Sequence, residues 1–198
     1  PVSSYLTDRV DFATFSGHKF HAVRGVGFVY KKAGKKITPL LTGGGQEKDF
    51  RSTTENVAGI ASMAKALRLV TDKEEFSLPK IAKMKKIIFD ELAKYEDITI
   101  FSGEGEDFAP NILTFGIKGV RGEVIVHAFE EHQIYISTTS ACSSKAGKPA
   151  GTLISMGVPT KLAQTAVRIS LDDDNDMGQV EQFLTIFKQV YAKTQKVR

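Results

Sequence analysis

Cysteine is all but missing: Cys142 is the single one in 198 residues. One thiol excludes an internal disulfide framework and fits a reducing compartment, so a cytoplasmic location is expected. Histidine is scarce as well. The four are scattered, and none stands with Cys142 at the spacing a zinc site needs, so no metal is expected. No run approaches the ~20 apolar residues that a membrane span requires. The first residues, Pro1-Val2-Ser3-Ser4-Tyr5, lack the basic and apolar pattern of a secretory signal. Charge of one sign is also in short supply. The net charge of +4 is mild, and the lysine clusters Lys31-Lys32 and Lys80 to Lys86 have no interleaved aromatics. They read as solvated faces, so no direct nucleic-acid contact is expected. Internal repeats and low-complexity tracts are absent too. What remains is 41% hydrophobic and 25% charged, ordinary for a globular chain of one large domain or two small ones.

Strand and helix signals alternate along the chain, which gives an α/β or α+β class. Val10 to Phe15 and Gly25 to Tyr30 read as short strands around Ser16-Gly17-His18-Lys19. Three glycines, Gly43 to Gly45, mark a sharp turn or a close approach. A helix is predicted from Glu55-Asn56 to Leu69, and a second after Pro79 with Ile81, Met84, Ile88 and Leu92 at helical spacing. Strand-like runs follow at Ile98 to Phe101, Ile112 to Ile117, Ile134 to Ser137 and Val167 to Leu171, with a helix at Glu123 to His132. The last helix is the plainest, with Val180, Phe183, Leu184, Phe187, Val190 and Tyr191 on one stripe. Before it, Asp172, Asp174 and Asp176 alternate like a calcium loop. The sixth and twelfth places of such a loop hold Met177 and Phe183 instead of Gly and Glu, so helix capping is the better reading. A boundary near residue 70 separates a Gly-rich part, 1–69, from a more regular one, 70–198.

Four short blocks carry chemistry. Ser16-Gly17-His18-Lys19 packs a hydroxyl, an imidazole and an amine into four residues, which suits a small anion held beside a reactive amine. Gly43-Gly44-Gly45-Gln46-Glu47 precedes Arg51-Ser52-Thr53-Thr54-Glu55-Asn56. Ser137 to Ser144 surrounds Cys142 with hydroxyls, and Lys145 and Lys148 follow, where ammonium groups favour the thiolate. Ala166-Val167-Arg168-Ile169-Ser170 places one guanidinium, the right group for a planar carboxylate, on a strand.

In this order the blocks resemble the cysteine desulfurases, the NifS/IscS-like group of class V aminotransferase-like (fold type I) enzymes that use pyridoxal 5'-phosphate (PLP). The resemblance runs along essentially the whole chain and is to the C-terminal half only. It implies the C-terminal portion of a PLP-binding large domain over 1–69 and an α+β small domain, carrying the cysteine loop, over 70–198. It assigns Lys19 to a Schiff base with PLP, Ser16 and His18 to the cofactor phosphate, and Thr54 to the phosphate of the other subunit of a homodimer. It assigns Arg168 to the carboxylate of the substrate L-cysteine. Cys142 takes the substrate sulfur as a persulfide and passes it to an acceptor protein, for iron–sulfur cluster assembly or transfer-RNA thiolation, while alanine leaves. The chain does not begin with Met, and only Asp8 and Asp11 precede Lys19, neither placed like the family's acidic partner for the pyridinium nitrogen. The resemblance therefore implies an incomplete, inactive fragment without a full set of PLP contacts. Two rival readings stand beside it: a non-catalytic docking module for a sulfur acceptor, and a selenocysteine lyase or class V aminotransferase relative.

Overall fold

The computed structural model describes residues 6–105, 107–138 and 151–196. The chain divides into two compact units, 1–75 and 76–198.

In the first unit, β1 (Phe12–Ser16) and β2 (Gly27–Lys31) form an antiparallel pair, with Phe12 opposite Lys31 and Ser16 opposite Gly27. Phe15 and Phe28 face each other across the pair and stack, their ring centroids 4.6 Å apart. A 3-10 helix, Gly17–Phe20, connects to β2 through the left-handed His21. Few side chains here are buried. Helix α1 (Val57–Leu92) then starts on Asn56, whose Oδ1 accepts the Gly59 N–H at 3.0 Å.

Helix α1 corrects the expectation of two helices, because it runs unbroken through Pro79. A proline removes one i→i−4 bond and crowds one carbonyl. Beyond it Ile81, Met84, Ile88 and Leu92 are all buried, and that packing outweighs the local loss.

The second unit holds a four-stranded antiparallel sheet in the order β3-β4-β6-β5, from β3 (Ile98–Ile100), β4 (Ile112–Ile117), β5 (Ser137–Thr138) and β6 (Ala166–Ser170). Helix α2 (Gly122–Glu130), the short α3 (Gly151–Ser155) and α4 (Thr160–Ala163), and α5 (Met177–Lys196) complete it. One sheet face meets α1, α2 and α5 in a core that includes Leu113, Phe115, Val167, Ile125, Phe129, Phe183 and Phe187. Strand β5 starts later than the run predicted at Ile134 to Ser137. Ile134 and Ile136 still pack on the core, but from a segment that does not pair with β6. The acidic run caps α5: Asp176 Oδ1 accepts the Gln179 N–H at 2.9 Å, and Gln179 Oε1 accepts the Asp176 N–H at 3.2 Å. This reciprocal pair is a capping box.

Candidate functional site

The hydroxyl–imidazole–amine cluster is positioned by the β1–β2 connection. Gly17 is buried, and a Cβ there would sit 2.8 Å from the Val26 carbonyl oxygen and 3.1 Å from Ala22 Cβ. Its N–H donates to Val26 O at 2.9 Å, and its own carbonyl accepts from Ala22 N at 3.1 Å. With that residue fixed inward, its neighbours Ser16, His18 and Lys19 are all exposed. Among the described residues no hydrogen bond or ion pair engages their side chains. The structure thus brings three of the expected site residues into one turn and leaves their donors open.

Thr54 lies in another loop of the same unit, exposed, two residues before the Asn56 cap. The loop that leads to it is tightly wound. Glu47, Lys48 and Asp49 take left-handed φ values of 52°, 56° and 65°, with Asp49 N donating to Gly45 O at 3.1 Å. Three consecutive non-glycine residues in that region are uncommon and costly. Ser52 is buried and its N–H donates to Leu41 O at 3.1 Å, while the Arg51 guanidinium bonds the Thr53 hydroxyl. The Gln46 side-chain oxygen is buried without a partner.

Arg168 lies in the second unit, at the middle of β6, half-buried, opposite Thr114 of β4 and Ser137 of β5. Its Nε is buried and has no hydrogen-bond partner. Cys142 falls outside the described residues, four positions after Thr138, where β5 ends. Gln46, Thr114 and Ser137 were not among the expected site residues. The Gly-Gly-Gly-Gln-Glu block could have drawn attention to Gln46. For Thr114 no sequence signal exists, because only the strand register makes it a neighbour of Arg168.

The donor set fits PLP. The open hydroxyl and imidazole of Ser16 and His18 match phosphate oxygens, and the Lys19 amine beside them matches an aldehyde.

A family model described as class V aminotransferase matches residues 7–183, and the chain belongs to that family. A curated relative from Lactobacillus delbrueckii subsp. bulgaricus, named NifS/IcsS protein homolog, is 47% identical over 192 residues, 97% of this chain and 50% of the relative. The protein named cysteine desulfurase IscS of Dictyoglomus turgidum is 35% identical over 162 residues, 82% of this chain and 41% of its own length. Among solved structures, the NifS-like protein of Rickettsia africae superposes with a TM-score of 0.81 at 32% identity, over 92% of this chain and 48% of that one. The fold is accordingly the α/β fold of PLP-dependent class V enzymes, as the motifs led one to expect. The chain spans about half the length of the curated relatives it matches.

Proposed function

We propose that this chain is part of a PLP-dependent cysteine desulfurase that turns L-cysteine into L-alanine and a protein-bound persulfide. The observation that carries the reading is the turn Ser16–Lys19, with three open donors of the right chemistry around an inward glycine. The names of the relatives support it.

PLP, when bound, supplies an electron sink for the substrate's Cα and makes its sulfur electrophilic. The remaining roles belong to side chains of this chain. Ser16 and His18 donate hydrogen bonds to the cofactor phosphate, joined by Thr54 from a second copy in a homodimer. Lys19 Nζ would hold the cofactor, and its free amine would be the base that takes the substrate's Cα proton. Arg168 pairs with the substrate carboxylate. The Cys142 thiolate would attack the substrate sulfur; the S–S bond forms as the C–S bond breaks, the electron pair left on carbon takes up a proton to make the methyl group, the Cα proton is returned by Lys19, and L-alanine departs. Cys142 then hands the sulfur to an acceptor protein, in iron–sulfur cluster assembly or transfer-RNA thiolation, in the cytoplasm.

The test is colour and sulfur. The chain is incubated with PLP, alone and with a separately expressed segment matching the half of the Lactobacillus relative that it does not cover. A visible absorbance band that Lys19→Ala abolishes is the expected result, and a band that survives that change removes Lys19 from the role. Persulfide formation from L-cysteine should fall by roughly 100-fold or more in Cys142→Ser. Undiminished persulfide in that variant overturns the sulfur-carrier assignment.

A second reading has one observation in its favour. Among the described residues, all of the buried hydrophobic side chains but Ala22 and Ala66 lie beyond residue 75, so the second unit has the core of a self-standing docking module. Absence of any colour or turnover, with binding of a sulfur acceptor retained by residues 76–198, would favour it.

A further inference from the structure

The sheet of the second unit has two unlike faces. Alternation puts Leu113, Phe115, Ile117, Val167 and Ile169 on one face, and all five are buried in the core. Thr114, Arg168 and Ser137 are on the other, because residues directly opposite on neighbouring strands share a face. Arg168 is therefore the middle member of a polar row, with one hydroxyl residue on each side at a cross-strand Cβ spacing of about 5 Å. All three are half-buried. The Arg168 Nε–H is sealed from solvent without a partner, and no carboxylate among the described residues pairs with the guanidinium.

A sealed guanidinium N–H that serves only the fold normally finds an acceptor, since a buried donor left unpaired is costly. Here its two flanks are neutral. A hydroxyl accepts one hydrogen bond and donates another, so it can take a guanidinium N–H and offer its own proton to an anionic oxygen. We propose that Thr114 and Ser137 are positioning residues that orient Arg168 for bidentate capture of an amino-acid carboxylate. This rests on the reading of Arg168 as the substrate-carboxylate group. Among the described residues no hydrogen bond joins either hydroxyl to the guanidinium in this structure; the register places each to take one of its N–H groups when a carboxylate draws the fork into plane, so their removal weakens carboxylate binding without weakening the fold.

The experiment uses the full chain with 15N-labelled arginine side chains, and L-alanine as a carboxylate probe that has no thiol to react. The Arg168 Nε–Hε signal is assigned by its loss in Arg168→Lys. L-Alanine should shift that signal saturably in the wild type. Thr114→Val and Ser137→Ala should each weaken the apparent affinity by about 3- to 10-fold, with thermal midpoints unchanged and Thr114→Ser restoring wild-type binding. Unchanged affinity in both single variants overturns the positioning role and leaves that of Arg168 standing. No response of the Arg168 signal to L-alanine overturns the role of Arg168, and this proposal falls with it. Should Thr114→Val fail to fold, Ser137→Ala decides alone, because β5 is an edge strand and tolerates the change.

Discussion

Glu91 is held between two lysines, with Oε2 2.5 Å from Lys94 Nζ and Oε1 3.2 Å from Lys188 Nζ, and its side chain is 14% exposed. The hydrogen bond from Lys94, ahead of that from Lys188, holds its carboxyl below the usual carboxylate range against the opposing effect of burial. A depressed folded-state pKa contributes stability above the ordinary carboxylate value and loses it as pH falls through the depressed one. Glu91→Gln should therefore lower the urea midpoint at about pH 7, and the difference should shrink as pH falls below the ordinary carboxylate range. A pH-independent difference would show that shape, not charge, is what the position contributes. Lys85 works differently. It is 6% exposed, and its Nζ donates to Gly103 O at 3.1 Å and Ala109 O at 2.8 Å, tying down the loop before β4. Burial pushes this ammonium below its usual range, with Glu104 pulling the other way. Lys85→Met strands two carbonyls and should cost about 1–3 kcal/mol in chemical denaturation. In sequence, Lys85 is one more member of a lysine cluster that reads as a solvated face. Its burial is visible only once the helix is packed.

At the scale of elements, α1 and α5 are bounded by unlike signals. The Asp176–Gln179 box is a sequence-legible start, and breaking it with Asp176→Ala should cost about 1 kcal/mol. Pro79 was misleading for a physical reason. It has no N–H to give the Glu75 carbonyl, and Glu75 is where the first unit ends. The helix pays there in hydrogen bonding and continues because the four apolar residues beyond it are buried. Pro79→Ala should raise the thermal midpoint, by up to ~3 kcal/mol of stability if the backbone takes an ideal helix. A lower midpoint would mean that the proline sets a needed bend. Strand β4 has its own constraint: a Cβ on Gly116 would lie 2.1 Å from Thr165 Oγ1 and 3.1 Å from the Thr165 carbonyl carbon. Thr165 is buried with that hydroxyl bonded to Leu162 O at 2.8 Å, so it cannot simply turn away. Gly116→Ala should destabilise the second unit by roughly 1–3 kcal/mol, read from the same denaturation curves.

For the whole molecule, the two units differ in how they are stabilised. Beyond residue 75 a large core cluster stands beside a small one of Leu153, Ala163 and Ala166, and the largest members of the first, Phe115, Phe129 and Phe187, are fully buried among aromatic neighbours such as Phe183 and Tyr95. Among the described residues up to 75 the buried hydrophobics are two alanines, while Leu40, Val29 and Val57 are 95%, 59% and 71% exposed. Apolar burial is the main favourable contribution to folding, so the units should not be equally independent. A polypeptide of residues 76–198 should melt cooperatively, and one of residues 1–75 should not, by circular dichroism against temperature. Two cooperative transitions of similar size would contradict that division.

The sequence by itself determined the local chemistry: a hydroxyl, an imidazole and an amine in one turn at Ser16 to Lys19, an arginine on a strand, and a capped last helix. These are short-range facts, set by neighbours in the chain, and the strand runs at Phe12 to Ser16 and Ile112 to Ile117 emerged close to where periodicity put them. Only the tertiary structure decided that β6 enters the sheet between β4 and β5, that α1 passes through its proline, and that Thr114 and Ser137 flank Arg168. Strand pairing joins residues more than fifty positions apart, as between Thr114 and Arg168, and no local propensity encodes a partner at that distance. The register follows from burying Leu113, Phe115, Val167 and Ile169 on one face. The same choice turns Arg168 and its two hydroxyl neighbours to the other.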